Sequence, residues 1–296
     1  VLRSVYERRT GPGRQPDPER FVWDYWHVPG QYTYLRTHAR RFFPPAVYGR
    51  FLAAVRGWGA AHLGCARISE PWLSFYVHGC RQELHADVPQ GPWSFVYSLT
   101  DWDARAFTGG ETLMLRGGVL DYWSGFADDR PLERDDLLWR VPARFDQLLV
   151  FDARVPHGVA AVEGTSDPLR ARVVVHGWYL RPALTVVGAL GAEQVTGPAE
   201  ELHRRWDDAV RDCGPLSGVA TWLLEIGPDG VPRPPRPLAS TLVATAPGAD
   251  PARALATMGR ALATARFPAA AGPSSVVFPV VASAGHRSDP VKPAGT

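Results

Sequence analysis

The stretch Phe95-Val-Tyr-Ser-Leu-Thr-Asp-Trp-Asp-Ala-Arg-Ala-Phe-Thr-Gly-Gly-Glu-Thr112 decides how this chain is read. Its aromatic and β-branched opening suits a pleated strand, and the run ends at polar residues where Asp101 and Asp103 cap and shape a loop. Gly109-Gly110 punctuates the chain, and Glu111-Thr112 opens a second short strand, Leu113-Met114-Leu115. Upstream, Glu83-Leu84-His85-Ala86-Asp87 sets an imidazole and a carboxylate two residues apart. Side chains alternate along a strand, so His85 and Asp87 face one side and can share a metal. Downstream, Phe145-Asp-Gln-Leu-Leu-Val-Phe-Asp152 reads as a strand, followed by Val155-Pro-His157-Gly158-Val159 and then Arg172-Val-Val-Val-His-Gly-Trp-Tyr179. Two imidazoles and one carboxylate form the facial set that holds non-haem Fe(II) and leaves open positions for O2 and a cosubstrate.

Each residue has a plainer competitor. A histidine on a strand is more often a hydrogen-bonded structural residue than a ligand, so His85 and His157 take their meaning from context. His176 shares a strand face with Arg172, and His78 shares one with Tyr76; each reads equally as a pocket residue or a satisfied core histidine. Glu111 reads as structural. His203 and Asp207, four apart on an expected helix, read as a solvated face.

Taken in order, these four islands resemble the prolyl-4-hydroxylase branch of the Fe(II)/2-oxoglutarate dioxygenases. Asp101-Trp102-Asp103-Ala104 and the Gly-Gly turn are similar to those of the oxygen-sensing prolyl hydroxylases of animals and their bacterial relatives. The resemblance runs from roughly Val22 to Pro182. It implies that His85, Asp87 and His157 bind Fe(II). It also implies that Arg172 grips the distal carboxylate of 2-oxoglutarate through two parallel hydrogen bonds. Arg170, two residues earlier, is the rival for that task, and the only lysine, Lys292, stands in a Pro/Gly-rich tail. A strand tyrosine near the cosubstrate falls at Tyr76. A second family tyrosine falls at Tyr97 or Ser98, and Leu99 places Ser98 there, a departure from the pattern. The implied reaction uses O2 and turns 2-oxoglutarate into succinate and CO2 while hydroxylating a C–H bond; ascorbate is an expected stimulant. The presence of Asp87 favours hydroxylation over halogenation, for which relatives lack the carboxylate. The leading substrate expectation is a residue within a peptide or protein. A small metabolite or free amino acid is the second, and a non-catalytic binding protein the third.

Composition fits an enzyme of one large domain and a small one: 296 residues, 45% hydrophobic, with 11 Trp and 12 Phe for an aromatic core or cleft. A net charge of +2 without a basic block gives no sign of a nucleic-acid partner, and no apolar run approaches a membrane span. Cys65, Cys80 and Cys213 form no C-x-x-C pair, which suits a reducing cytoplasm, and the arginine-dominated cations suggest a bacterial, GC-rich source.

Punctuation predicts the organisation. Residues 1–20 read as a mobile N-terminal arm, 21–190 as a dioxygenase domain, 191–285 as a small α+β binding domain and 286–296 as a flexible tail. The fold class expected is mainly β with flanking helices: a double-stranded β-helix (jelly roll) plus the α+β domain. Pro44-Pro45 opens a helix to about Leu63 with Phe51, Leu52, Val55 and Trp58 on one face. The stretch 116–140, with Tyr122, Trp123 and Phe126, reads as a lid or a surface excursion. In the C-terminal part, Gly197-Pro198 precedes a helix to about Cys213, a strand follows at 220–226, and a turn at Gly227-Pro-Asp-Gly230. A helix near 251–265 and a final strand at 275–281 complete it. This order, with its late Phe267-Pro268, resembles the C-terminal domain of TonB-like energy transducers, which implies a binding module.

Overall fold

The computed structural model describes residues 1–12, 22–119, 129 and 132–283. Phe21, the aromatic centre of the expected lid (Tyr122, Trp123, Phe126) and the expected tail at 286–296 lie outside the described residues. The chain divides into two compact units: Val1–Leu52 with Ile68–Trp178, and Ala53–Arg67 with Tyr179–Thr296.

The first unit carries ten strands: β1 (Asp24–Val28), β2 (Tyr32–His38), β3 (Trp72–Tyr76), β4 (Arg81–His85), β5 (Trp93–Ser98), β6 (Thr112–Leu115), β7 (Leu138–Val141), β8 (Leu148–Asp152), β9 (His157–Val159) and β10 (Arg172–Tyr179). They form one curled antiparallel sheet in the order β7-β6-β9-β4-β2-β3-β10-β5-β8, with β1 on β2. Within it the eight strands β3 to β10 make two rows of four, β3-β10-β5-β8 and β4-β9-β6-β7, so consecutive strands alternate between rows except at β6 and β7, which pair with each other. That alternation is the jelly roll, a double-stranded β-helix. It pairs segments far apart in sequence, and in particular sets His85 directly opposite His157.

The glycine pair that opened the sequence reading has a steric reason. Gly109 and Gly110 both take positive φ (+73° and +78°), and a Cβ on Gly109 would lie 1.8 Å from the Ala161 carbonyl oxygen. Only glycine allows the chain to turn there so closely against its neighbour and enter β6 in register.

Residues 2–10 differ from the expected mobile arm. Leu2–Thr10 is a helix, α1, with Val5 and Tyr6 buried. The Tyr6 hydroxyl donates to the Pro168 carbonyl at 2.8 Å, and Arg3 donates to the carbonyls of Leu99 and Leu169. The glycines and prolines that suggested an arm begin only at Gly11, after the helix has ended. Two further helices follow β2: α2 (Ala39–Phe42) and α3 (Pro45–Leu63), the second opened by Pro44-Pro45 as the sequence implies.

The second unit begins inside α3. It adds β11 (Thr185–Gly188), α4 (Ala192–Cys213), β12 (Leu216–Ile226), β13 (Arg236–Ser240), β14 (Val243–Ala244), α5 (Pro251–Ala263) and β15 (Ser274–Ala282). Its antiparallel sheet runs β11-β15-β12-β13, with β14 also on β12. Trp206, Leu202, Met258, Leu262, Leu224 and Phe278 form its core. Asp250 caps α5 by accepting from the Arg253 amide, with Pro251 in the first turn. Helix α4 starts five residues before Gly197 and contains Pro198. A proline in the first two turns leaves most of the ladder intact, so the Gly-Pro pair does not begin the helix as expected. His203, expected on a solvated face, instead packs its ring 4.9 Å from Phe278. All three cysteines are free and buried, and among the described residues no helix is long and apolar enough to cross a membrane.

Candidate active site

The first unit encloses a cavity of about 300 Å³, between the two rows of the jelly roll. His85 stands at the end of β4, Asp87 two residues on, and His157 at the start of β9. The Asp87 carboxylate lies 3.6 Å from His85 Nε2 and 3.2 Å from His157 Nε2. One candidate ligand atom from each residue falls within 4.8 Å of the others.

The backbone sets which nitrogen of each imidazole is offered. His85 Nδ1 lies 2.9 Å from the Glu83 carbonyl oxygen, and His157 Nδ1 lies 2.9 Å from that of Val155. A carbonyl can only accept, so each Nδ1 carries a proton, and Nε2 is the ring atom turned toward Asp87: it donates to the carboxylate when protonated and offers its lone pair to a metal when not. The Ser94 hydroxyl donates to Asp87 Oδ2 at 2.6 Å and holds the carboxylate in place. Such outer partners orient metal ligands.

The electrostatics follow from this geometry. Burial pushes the Asp87 carboxyl upward, but hydrogen bonds from His157, His85 and Ser94 outweigh it and hold the group far below the ordinary carboxylate range. Burial lowers the His85 imidazole, yet Asp87 and the Glu83 carbonyl more than compensate, and its pKa is raised. Replacing Ser94 by Ala should therefore weaken divalent-metal binding about ten- to a hundredfold, measured by Co(II) titration, while the fold survives.

Arg172 opens β10 and is 1% exposed. One guanidinium nitrogen, Nη2, donates to Thr112 Oγ1 at 3.1 Å. Its Cζ lies 4.7 Å from the centre of the Tyr76 ring. Nε and Nη1 are buried and have no hydrogen-bond partner among the described residues. A buried cation with two idle donors is costly unless an anion completes it. Arg170, the rival, sits exposed in a 3-10 turn, Pro168–Arg170, and does not line the cavity.

Tyr76 stands directly across the strands from Arg172 and lines the cavity; its hydroxyl donates to Gln82 Oε1 at 3.0 Å. Ser98 does not line it. Its hydroxyl donates to the Ala143 carbonyl and accepts from the Thr100 amide, so this short side chain is used up inside the sheet. Tyr97 reaches Asp146 instead. His78 is exposed in a turn, where its Nδ1 accepts from the Gly164 amide, whereas His176 lines the cavity.

The sequence reading missed Gln82, Ser94 and Thr112. Gln82 has a physical excuse. Strict alternation puts it on the face opposite His85, but the β4–β9 register slips between the two residues, and the irregularity turns both inward. Ser94 was within reach, since it shares strand parity with Val96 on the inward face of β5.

His176 is held neutral. Burial lowers its pKa to about 4, against a smaller opposing pull from Asp87. Ser74 Oγ lies 2.9 Å from its Nε2. The unfolded chain then binds a proton that the folded protein refuses between the ordinary histidine value and about pH 4. Stability should fall as the pH drops through that window, by up to about 3 kcal/mol from this residue. Urea titrations of His176→Gln should show a correspondingly flatter acid limb; an unchanged limb would contradict the assignment.

Fold and site together define a jelly-roll protein carrying a two-histidine, one-carboxylate cluster beside a buried arginine. No family model matches the chain, and no curated protein does. Among solved structures it is similar to a Pseudomonas putida prolyl-4-hydroxylase at 19% identity, over 61% of this chain and 85% of that one, with a TM-score of 0.40. It is similar to a prolyl hydroxylase from Trichoplax adhaerens, in complex with a hypoxia inducible factor oxygen degradation domain peptide fragment. The identity there is 16%, over 60% and 74% of the two chains, with a TM-score of 0.39. A non-heme alpha ketoglutarate dependent carbocyclase from nogalamycin biosynthesis is 17% identical over 52% and 68%, with a TM-score of 0.35. Likenesses this distant fix neither family nor substrate.

Proposed function

We propose that this chain is an Fe(II)- and 2-oxoglutarate-dependent dioxygenase that hydroxylates a C–H bond. One observation carries the reading: a His85–Asp87–His157 cluster shares a cavity with a buried guanidinium that has two donors unanswered. The residues present fit both missing groups. Two Nε2 atoms and a carboxylate suit Fe(II), and the buried Arg172 guanidinium, with donors left idle on its edge, suits a carboxylate of 2-oxoglutarate.

The chemistry supplied when both are bound is O2-dependent decarboxylation of 2-oxoglutarate to succinate and CO2, coupled to hydroxylation. The protein's part is positional. His85 and His157 present Nε2 because their Nδ1 protons are committed to backbone carbonyls. Ser94 fixes one oxygen of Asp87. Arg172 and Thr112 receive the distal carboxylate, and Tyr76 and Tyr34, stacked with ring centres 5.2 Å apart, wall that end against water.

For the substrate, the reading we favour is a residue in a peptide or protein. The second unit supports it: its α+β order resembles TonB-like binding modules, and β11 and β13 end its main sheet, where an extended chain could add. The alternative, a tailoring oxygenase for a small metabolite or free amino acid, is favoured by the modest cavity. The deciding experiment measures succinate from 2-oxoglutarate with Fe(II) and ascorbate, for wild type and Asp87→Ala, alone and with fractionated peptide and metabolite pools. Succinate from wild type only supports the dioxygenase, and the stimulating pool selects the substrate class. No succinate from iron-loaded protein in any pool would leave a binding protein.

A further inference from the structure

The cavity holds a second cation that the proposed reaction does not use. Arg36, on β2, lines it, with its Cζ 3.8 Å from the ring centre of Trp26 and 4.2 Å from that of Trp72. A guanidinium covered on its faces by two indoles offers only its edge, where all its N–H donors lie. One of these, Nε, is taken by Asp24 Oδ2 at 3.0 Å. Asp24 is half exposed, and the Arg36 side chain is only 17% exposed.

Register places this cation away from Arg172. Across the sheet, Arg36 stands opposite Ser74, which stands opposite Val174. Arg172 belongs to the adjoining inward row, opposite Tyr76. Two strands and two residues along the chain separate their Cα atoms, about 10 Å or more at ordinary strand spacings. The two arginines also keep different company, Arg172 with Thr112 and Tyr76, Arg36 with Asp24, Trp26 and Trp72. The wall near Arg36 adds Trp178, whose Nε1 is buried without a partner among the described residues, and His176, which stands across from Trp72.

Building on the dioxygenase reading, we infer that Arg36 is the substrate's anion-binding residue, and that the substrate is an organic acid whose apolar or aromatic body lies against Trp26, Trp72 and Trp178. Arg172 takes the cosubstrate's carboxylate and Arg36 the substrate's. Asp24 fixes the Arg36 fork and competes mildly for it.

The test uses 3-phenylpropanoate and its neutral amide as probes, titrated by tryptophan fluorescence with Co(II) and excess 2-oxoglutarate present. Wild type should bind the acid about ten- to a hundredfold more tightly than the amide. The preference should vanish in Arg36→Gln, persist in part in Arg36→Lys, and grow in Asp24→Asn. A residue that merely staples β1 to β2 through Asp24 would give the opposite result in Asp24→Asn, a weaker site. Equal binding of acid and amide by wild type, or a preference that survives Arg36→Gln, overturns the inference. Calorimetry of 2-oxoglutarate on the same samples reports on Arg172 alone: no 2-oxoglutarate binding with the acid preference intact would remove the dioxygenase reading and leave the Arg36 site standing. An acetylated, amidated peptide with one glutamate separates the sources. If it binds, the carboxylate is a side chain's; if only the free acid binds, it is a metabolite's.

Discussion

Replacing Arg172 by Met is expected to leave the ligand-free protein as stable as wild type or more so, while abolishing its stabilisation by 2-oxoglutarate. The two effects have opposite signs for one physical reason. Without a ligand Arg172 is a fully buried cation with Nε and Nη1 unanswered among the described residues, held by Thr112 and Tyr76. An unpaired buried donor costs about 1–3 kcal/mol, and an apolar chain of similar volume removes that cost. With 2-oxoglutarate bound as proposed, its distal carboxylate would answer those donors. In wild type, 2-oxoglutarate at a hundred times its Kd with Co(II) should stabilise by about 2.7 kcal/mol. In Arg172→Met it should not move the melting temperature. A structural arginine gives a different pattern: a large loss of stability in the variant, and no response to 2-oxoglutarate in either protein.

Replacing Asp87 by Ala is expected to weaken divalent-metal binding by two to three orders of magnitude or more and to eliminate metal-dependent turnover. Asp87 is the only carboxylate of the cluster, and losing one member of a buried charged set costs about 3–5 kcal/mol. The metal-free protein also responds in a definite direction. The folded Asp87 carboxyl is held far below its unfolded value, so its contribution is present above the unfolded pKa of about 4 and is lost as the pH falls below it. Wild type and Asp87→Ala should therefore differ most near neutrality and converge in acid. A constant gap across pH, measured by urea unfolding with chelator present, would mean that the ion pairing with His85 and His157 is not what depresses the carboxyl.

Much of the site is legible in the sequence because strand alternation is a local rule. His85 and Asp87 share parity, and their partner histidine follows a strand and a Val-Pro turn. The rule fails where the backbone breaks it. Gln82 enters the cavity through a register irregularity that no spacing predicts. Ser98 fails for the complementary reason: its alignment with a family tyrosine says nothing about a side chain too short to leave the Ala143 carbonyl. Residues 1–20 misled through composition, since the glycines and prolines of 11–18 hid a nine-residue helix whose anchors, Pro168 and Leu99, lie far along the chain. Arg36 went unnoticed because an arginine beside no motif has no local mark; two indoles from different strands single it out.

The sequence by itself determined the strand-rich character of this protein, the His85 and Asp87 pair of its candidate metal-ligand set and the Gly109-Gly110 turn, because each depends on residues within a few positions of one another. Only the tertiary structure decided that His85 faces His157, that Arg172 is left with two donors idle, and that Arg36 lies between Trp26 and Trp72. Those facts depend on which distant strands the jelly roll sets side by side, and hydrogen-bonded register, unlike periodicity, is a property of the whole sheet.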